Sequence, residues 1–333
     1  MTTACRQRAQ IPNARSHHRW RGGIAAATLA AVIDSQPLTL LDGGTGRELM
    51  RMGAPFRQPE WSALALMESP HSVSEVHRRY VVAGADVITT NSYAVVPFHI
   101  GAERFAREGA ELAALAGNLA RAAVTAAART VRVAGSLPPP CGSYRPDLFD
   151  AGTARPILQR LIGALEPYVD LWLSETLSCE AEMQLVGELV AGSGKPWWVS
   201  FTLADEPGAP SRGRLRSGEP VAAAVRRAAR LGAVAVLFNC CQPEVIGPAL
   251  IEATQAVGAR SGAVVRLGAY ANAFAPQRAD AAANAELSAL RADLSPADYL
   301  GWARQWRQDG ADIIGGCCGV GPEHIASLRT ELR

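Results

Sequence analysis

The sequence alternates short apolar runs with longer helical segments from end to end, and this alternation restricts the possible folds more than any other feature. Because runs that are apolar on both faces and alternate with helices are typical of parallel sheets, eight such units predict a single-domain α/β fold, the (β/α)8 barrel. The predicted strands are 38–42, 86–91, 131–136, 169–174, 197–202, 234–239, 264–270 and 312–315. The predicted helices lie near 60–83, 102–129, 153–167, 178–191, 218–231, 244–259, 295–309 and 322–332.

An open, doubly wound sheet is the competing architecture. It would need a glycine turn with G-x-G-x-x-G spacing after the first strand, and the segment Asp42-Gly43-Gly44-Thr45-Gly46 lacks that spacing. Two inserts, 138–149 and 272–294, follow predicted strands. A barrel builds its active face from the loops at that end of its strands, so the inserts also favour the barrel.

The N-terminal 22 residues differ from the rest of the chain. They carry five arginines, and no acidic residue occurs before Asp34. A secretory signal or transit peptide is one interpretation, but no small-x-small cleavage site follows the apolar stretch that ends at Ile33. We therefore predict a disordered basic extension over 1–22, a helix over 24–35 that covers the barrel floor, and a single barrel domain over 23–333.

Composition excludes several partners. With a net charge of +2 and 19% charged residues over 333 positions, the chain has no basic face for nucleic acid. No run approaches the roughly 18 apolar residues of a membrane span. Seven cysteines are too few for a disulfide scaffold in a chain of this length, and an odd number cannot all pair. This favours the reducing cytoplasm. We expect a monomer, since no dimerisation arm is recognisable.

Four of the cysteines form two adjacent pairs, and each pair follows a predicted strand. One pair is Cys240-Cys241, and the other, Cys317-Cys318, lies among glycines that permit a sharp turn. A disulfide between neighbours would be strained, so we predict reduced thiols. Three thiolates and one open position are typical of a catalytic zinc site. The alternative is that these are ordinary buried cysteines, which behave as small apolar side chains.

Polar residues follow almost every predicted strand, where the carboxyl ends of barrel strands converge. Among them, Asp42 and Glu175 come from strands one and four, and their carboxylates suit a substrate ammonium group better than zinc. Each also has a structural interpretation, since acidic residues often cap turns or helix starts. Turn chemistry alone would explain Thr45 and Asn91.

Five segments of the chain together resemble the homocysteine S-methyltransferase family, in consistent order from about residue 25 to the C-terminus. The resemblance implies a zinc-bearing barrel that methylates homocysteine to methionine. It further implies that Cys240, Cys317 and Cys318 bind one zinc ion and that Asp42 and Glu175 bind the substrate amino group. Cys241 is an alternative to Cys240 as a ligand, but the family's cysteine directly follows the asparagine, which favours Cys240. The segments are Leu40-Leu41-Asp42-Gly43-Gly44-Thr45-Gly46-Arg47-Glu48-Leu49, Ile88-Thr89-Thr90-Asn91-Ser92-Tyr93, Ser174-Glu175-Thr176, Asn239-Cys240 and Gly315-Gly316-Cys317-Cys318-Gly319.

The size of the chain is closest to members of that family that use S-methylmethionine or S-adenosylmethionine, so we expect a sulfonium methyl donor. Backbone N–H groups of Gly43, Gly44 and Thr45 are predicted to hold the homocysteine carboxylate, with Asn91 as a further substrate contact. No general base is assigned, because zinc would activate the thiol. Another donor, another thiol or selenol acceptor, and a non-enzymatic zinc or thiol sensor remain the alternatives.

Overall fold

Eight parallel strands form one sheet in the order β1-β8-β7-β6-β5-β4-β3-β2. The computed structural model describes residues 37–205, 213–258, 265–275 and 289–333. A parallel bridge between Leu41 and Val87 links the two ends of the sheet, so the strands close into the predicted (β/α)8 barrel. The strands are β1 Thr39–Leu40, β2 Val87–Thr89, β3 Arg132–Leu137, β4 Leu171–Leu177, β5 Trp197–Phe201, β6 Ala235–Asn239, β7 Arg266–Tyr270 and β8 Ile313–Ile314.

Helices surround the strands and follow the predicted alternation. The predicted helix near 60–83 is two helices, because Pro70 lacks the N–H group that a continuous helix would need there. Two further short helices, Thr45–Arg51 and Pro97–Ile100, lie in segments where the sequence predicts no helix. The helices are α1 Thr45–Arg51, α2 Ser62–Glu68, α3 Pro70–Ala83, α4 Pro97–Ile100, α5 Ala102–Thr125, α6 Ala151–Leu165, α7 Glu180–Val190, α8 Val221–Arg230, α9 Pro243–Gly258, α10 Pro296–Gln308 and α11 Pro322–Leu332.

The apolar side chains divide into two layers because neighbouring residues of a strand face opposite sides of the sheet. In β4, Leu171 and Leu173 belong to the cluster inside the barrel, whereas Trp172 packs in the layer between strands and helices. Trp172 fits there because Gly135 on β3 has no side chain; a Cβ atom at that position would lie 2.8 Å from the indole. Side chains fill the barrel interior, so a ligand site is left to the strand ends.

The described unit runs from Pro37 to Arg333. The predictions for residues 1–22 and 24–35 lie outside the described residues. The insert at 138–149 contains a 3-10 turn, Pro146–Leu148, and the described parts of the second insert meet in a bridge between Phe274 and Leu290. Among the described helices, none has the length and apolarity that crossing a membrane requires.

Helix α3 buries a histidine whose protonation would destabilise the barrel. His77 is fully buried, and among the described residues neither ring nitrogen has a hydrogen-bond partner. Burial lowers its pKa from 6.5 to about 4, because the charged form loses its hydration. Below pH 6.5 the unfolded chain therefore binds a proton that the folded chain does not bind until about pH 4, so stability falls as the pH falls through this window.

We expect His77→Leu to remove this loss of stability. The difference in the free energy of unfolding, variant minus wild type, should be about 2 kcal/mol larger at pH 5 than at pH 8, because the pKa of His77 is lowered in the folded state. Urea unfolding at the two pH values measures the difference. His71→Leu, an exposed position on the same helix, is the matched control and should show no such change. An equal effect of His77→Leu at both pH values would contradict the expectation.

Candidate active site

Three cysteine sulfurs meet at the carboxyl end of the barrel. Cys240 directly follows β6, while Cys317 and Cys318 lie in the turn after β8, so the two segments flank the end of β7. Each of the three sulfur atoms lies within 4.8 Å of the other two. Cys240 is buried and the other two are partly exposed, which leaves one side of the cluster accessible to a ligand.

Backbone conformation decides which cysteine of the first pair joins this cluster. Cys240 has a φ of +50°, in the left-handed region that non-glycine residues seldom adopt. Cys241 is fully buried in the layer between strands and helices, and its carbonyl accepts a hydrogen bond from the Asn272 N–H at 3.2 Å. Cys240 rather than Cys241 therefore belongs with Cys317 and Cys318, in agreement with the choice that the resemblance favoured.

The structure joins Cys240 to Cys317 as a disulfide and leaves Cys318 as a free thiol. Cys318 and Cys241 are free thiols, so neither is bonded to its neighbour in the sequence. The prediction of reduced thiols is wrong for Cys240 and Cys317, which are bonded to each other. The reason is that the ends of β6 and β8 bring the two Cα atoms to 5.8 Å, within the range that a disulfide spans. Reduction of the bond would leave three thiolates in one place, and this donor set fits a soft metal ion such as zinc.

Two carboxylates lie beside the cysteine cluster. Asp42 follows β1, and its carboxylate accepts hydrogen bonds from the Thr89 N–H at 2.7 Å and the Thr89 hydroxyl at 2.9 Å. Glu175, in β4, accepts hydrogen bonds from the hydroxyl of Ser136 and, at 3.5 Å, from that of Tyr270. Donors on β2, β3 and β7 thus fix the orientation of both carboxylates through hydroxyl and amide groups that carry no charge.

Both carboxylates are less acidic than usual. Burial, together with the nearby charge of Glu175 and against the hydrogen bonds from Thr89, raises the pKa of Asp42 to about 7. Burial likewise raises the pKa of Glu175 to about 7, against the hydrogen bonds from Ser136 and Tyr270. Neither residue forms an ion pair within the described part of the chain. A ligand that carries a positive charge would relieve this cost of burying two negative charges.

The glycines after β1 allow close packing against the cysteine turn. A Cβ atom on Gly44 would lie 2.6 Å from the carbonyl oxygen of Cys317, so only glycine fits there. The Gly44 N–H donates to the carbonyl of Val320 at 3.0 Å. That N–H is therefore occupied, and the predicted anion site loses one of its three donors. The substrate contacts predicted for Gly43 and Thr45 stay predictions.

Asn91 has a structural contact in the described chain. It is buried, and its side-chain amide donates to the carbonyl of Ser62 at 3.1 Å, at the first residue of α2. This bond holds the segment after β2 against α2. A direct contact between Asn91 and substrate stays a prediction.

Two residues of the site were not foreseen from the sequence. Tyr270 ends β7 and places its hydroxyl on Glu175, and Arg47 lies in α1 with its guanidinium 5.0 Å from the centre of the Phe274 ring. Burial lowers the pKa of Arg47, and the charge of Cys318 opposes that shift. Burial raises the pKa of Cys318 to about 11, with Arg47 opposing. The sequence feature that could have indicated Arg47 is its position in the segment after the first predicted strand, where residues of the active face are expected.

Fold and site together define a class, namely (β/α)8-barrel proteins with a three-cysteine cluster and buried carboxylates at the carboxyl ends of the strands. Within that class, the family model described as homocysteine S-methyltransferase matches residues 39–332. The chain belongs to the homocysteine S-methyltransferase family and is a methyltransferase. The family resemblance, the barrel and the enzymatic activity expected from the sequence are thereby confirmed, whereas the non-enzymatic sensor receives no support.

Individual relatives agree with this assignment. A homocysteine S-methyltransferase of Escherichia coli is 32% identical, and the match covers 91% of this chain and 98% of the relative. A selenocysteine Se-methyltransferase of Brassica oleracea var. italica is 26% identical, with 88% of each chain covered. The solved structure of the metallated homocysteine methyltransferase MmuM of E. coli is 30% identical with a TM-score of 0.68, over 91% of this chain and 99% of the other. Its oxidized form, also 30% identical, matches with a TM-score of 0.69 over 91% and 98%.

Proposed function

We propose that this methyltransferase moves a methyl group from a sulfonium donor, S-methylmethionine or S-adenosylmethionine, to the thiolate of homocysteine to give methionine. We further propose that Cys240, Cys317 and Cys318 bind one zinc ion per chain. The observation that carries both proposals is the meeting of three sulfur atoms within 4.8 Å of one another, beside two buried carboxylates. The metallated form of the E. coli relative supports the presence of a metal.

When held by three thiolates, zinc would supply Lewis acidity that keeps a substrate thiol deprotonated at neutral pH, where a free thiol with a pKa near 8.5 is mostly protonated. The protein contributes the three sulfur ligands, and these are ligands only in the reduced state. The proposal therefore requires that the Cys240–Cys317 disulfide be reduced in the active enzyme. This requirement favours the reducing cytoplasm as the location of the enzyme.

Asp42 and Glu175 would bind the ammonium group of homocysteine. Their raised pKa values show that ionisation is costly without a positive partner, and an ammonium group supplies one. Hydrogen bonds from Thr89, Ser136 and Tyr270 already hold the two carboxylates in place. The carboxylate side chains therefore lose little conformational freedom when substrate binds. The ammonium contacts would thus fix the distance between the substrate thiol and the cysteine cluster.

The transfer itself neutralises charge. A new bond forms between the thiolate sulfur and the methyl carbon, and the carbon–sulfur bond of the sulfonium breaks, with its electron pair left on the departing thioether. One anion and one cation thus become two neutral thioethers. A site enclosed by the barrel mouth favours such a step, since opposite charges that are poorly hydrated gain from combining. The transfer step itself releases no proton, because the thiol proton is lost to solvent earlier, when the thiolate forms; no residue is therefore assigned as a general base.

A donor screen tests the proposed function. Reduced, zinc-loaded protein is incubated with homocysteine and one of S-methylmethionine, S-adenosylmethionine, betaine or a dimethylsulfonium compound, and methionine is quantified. We expect a sulfonium amino acid to exceed betaine by at least about 100-fold in kcat/KM, the discrimination that roughly 3 kcal/mol of binding would give. A preference for betaine, or the absence of methionine with every donor, would contradict the proposal.

A selenol is the second acceptor to be tested, because the Brassica relative is a selenocysteine Se-methyltransferase. The same assay with selenocysteine in place of homocysteine measures this activity. If kcat/KM is higher for selenocysteine than for homocysteine, selenocysteine becomes the proposed acceptor. The proposed role of the cysteine cluster would be unchanged.

A further inference from the structure

Strand β4 is irregular at the point where it carries Glu175. The β4 residues Ser174 and Leu177 lie three positions apart, whereas their partners in β5 lie two positions apart. This extra residue is a β-bulge, and bulges beside a site commonly change the direction of a side chain. Thr176, the residue after Glu175, has a φ of +60°, which a β-branched residue seldom adopts. Such a conformation persists only where the surrounding structure holds it.

The side chain that holds Thr176 is that of Asn239, at the end of β6. Asn239 is fully buried. Its side-chain oxygen accepts hydrogen bonds from the Thr176 N–H at 2.9 Å and from the Ser200 hydroxyl at 2.7 Å. Its side-chain amide group donates to the Thr176 hydroxyl at 2.9 Å. One side chain of β6 thus fixes both the backbone and the hydroxyl of Thr176, across the intervening strand β5.

Asn239 also reaches Glu175 by a second route. The Ser200 hydroxyl, which donates to Asn239, interacts with the hydroxyl of Tyr270. Tyr270 in turn donates to the Glu175 carboxylate at 3.5 Å. The orientation of Glu175 therefore depends on Asn239 both through its neighbour in the chain, Thr176, and through the hydroxyl groups of β5 and β7.

The position of Asn239 in the chain links this bulge to the cysteine cluster. Asn239 directly precedes Cys240, whose φ of +50° also lies in the left-handed region. Two unusual backbone positions, Thr176 beside the carboxylate and Cys240 in the cluster, are thus joined through one side chain. The separation between the Glu175 carboxylate and the Cys240 sulfur is consequently fixed in part by Asn239.

We propose that Asn239 is a positioning residue for the transfer reaction, which holds the bulge of β4 and thereby aims the Glu175 carboxylate at the ammonium group of the acceptor. The inference rests on the proposed binding of homocysteine and adds the residue that sets the geometry of its ammonium site. Asn239 acts through Thr176 and Ser200, to which its hydrogen bonds go. Its loss would leave the Thr176 N–H buried without an acceptor, so the bulge would rearrange and Glu175 would change direction.

The test compares homocysteine with 4-sulfanylbutanoate, which is homocysteine without its amino group. Binding to reduced, zinc-loaded protein is measured by calorimetry, and methyl transfer by KM and kcat. Wild type should prefer homocysteine by roughly 10- to 100-fold in affinity, the range for hydrogen bonds between charged groups. Asn239→Leu should lose about tenfold or more of this preference, because a displacement of about 1 Å can have an effect of that size. Its affinity for 4-sulfanylbutanoate should stay unchanged.

Thr176→Val is a milder variant that keeps the test decisive if Asn239→Leu fails to fold. It retains the shape of the side chain and removes only the hydroxyl that Asn239 binds. The preference for homocysteine should fall by about 2- to 10-fold, the range for one neutral hydrogen bond. Added to Asn239→Leu, the same change should have no further effect, because both residues act through one contact.

Ser174→Ala is the matched control. Ser174 precedes Glu175, is fully buried, and its hydroxyl donates to the carbonyl of Trp198 at 3.3 Å. Its loss should lower stability and leave the preference for homocysteine as in wild type. A role of Asn239 in stability alone would likewise lower stability without changing the preference, so an unchanged preference in Asn239→Leu or Thr176→Val overturns the proposal.

The remaining outcomes separate this proposal from the proposed function. If Asn239→Leu weakens both thiols equally or lowers the zinc content, Asn239 serves the cysteine cluster and the proposal is overturned. If wild type binds the two thiols equally well, the ammonium contact assigned to Glu175 fails, and the role of Asn239 fails with it. Absence of methyl transfer together with the expected pattern of binding would overturn the proposed reaction alone.

Discussion

Cys317→Ser protein is expected to contain no zinc and to lose methyl transfer by more than about 100-fold, beyond the roughly 10- to 100-fold that is typical when only an outer contact of a metal site is lost. A serine hydroxyl stays protonated at neutral pH and is a hard ligand, so it replaces a thiolate poorly. Two sulfurs would remain, those of Cys240 and Cys318. Metal analysis by mass spectrometry and single-turnover methylation of homocysteine measure the two losses.

Conditions and controls make this result specific. The proteins must be purified with a reductant, because the Cys240–Cys317 disulfide removes two of the three ligands. Cys141→Ser is the matched control: Cys141 is a free, partly exposed cysteine outside the cluster, and its replacement should leave one zinc per chain and normal activity. Full zinc occupancy in Cys317→Ser, or methylation of homocysteine by zinc-free wild type, would disprove the assigned role of the cluster.

Glu175→Gln is the change with the second largest expected effect. It should weaken homocysteine binding by roughly 10- to 100-fold, since a hydrogen bond between charged groups becomes a neutral one. The zinc content should be unchanged, because Glu175 is not among the three sulfur ligands. The amide keeps an oxygen that can still accept hydrogen bonds from Ser136 and Tyr270, so the fold around it should be retained. Calorimetric titration with homocysteine at pH 8 measures the loss.

The same carboxylates predict how binding depends on pH. With pKa values raised to about 7 in the free protein, Asp42 and Glu175 are largely protonated at pH 6, and a protonated carboxyl group does not attract an ammonium group. Homocysteine affinity should therefore fall as the pH falls below about 7, by up to about tenfold per unit for each carboxylate that must ionise. Glu175→Gln should show a shallower dependence, because one of the two titrating groups is gone.

Glu182→Gln separates this effect from a general response to acid. Glu182 is also buried, and burial raises its pKa to about 7, but its carboxylate caps the backbone N–H groups of Ser178 and Cys179 at the start of α7. Its replacement should reduce stability without changing the affinity for homocysteine. A loss of zinc in Glu175→Gln as large as its loss of homocysteine binding would show that the role proposed for Glu175 is wrong.

Most of the barrel could be predicted because the features that define it are local. Each strand is a short apolar run and each helix a longer segment, and the described strands lie within the predicted ranges or extend beyond them by a few residues, as β4 does. Closure could not be predicted in this way. It depends on a bridge between Leu41 and Val87, and no local pattern states which residues of two strands will pair.

The same distinction between local and long-range features applies to the site. The sequence by itself determined the chemistry: adjacent cysteines among glycines, carboxylates after strands one and four, and the family to which these motifs belong. Only the tertiary structure decided that Cys240 and not Cys241 joins the cluster, that the Gly44 N–H is occupied, and that Arg47 stacks on Phe274. The physical reason is distance along the chain. The Gly44–Val320 and Arg47–Phe274 contacts join residues more than two hundred positions apart, and they form only when the barrel closes. The left-handed backbone of Cys240 likewise depends on how the closed barrel packs.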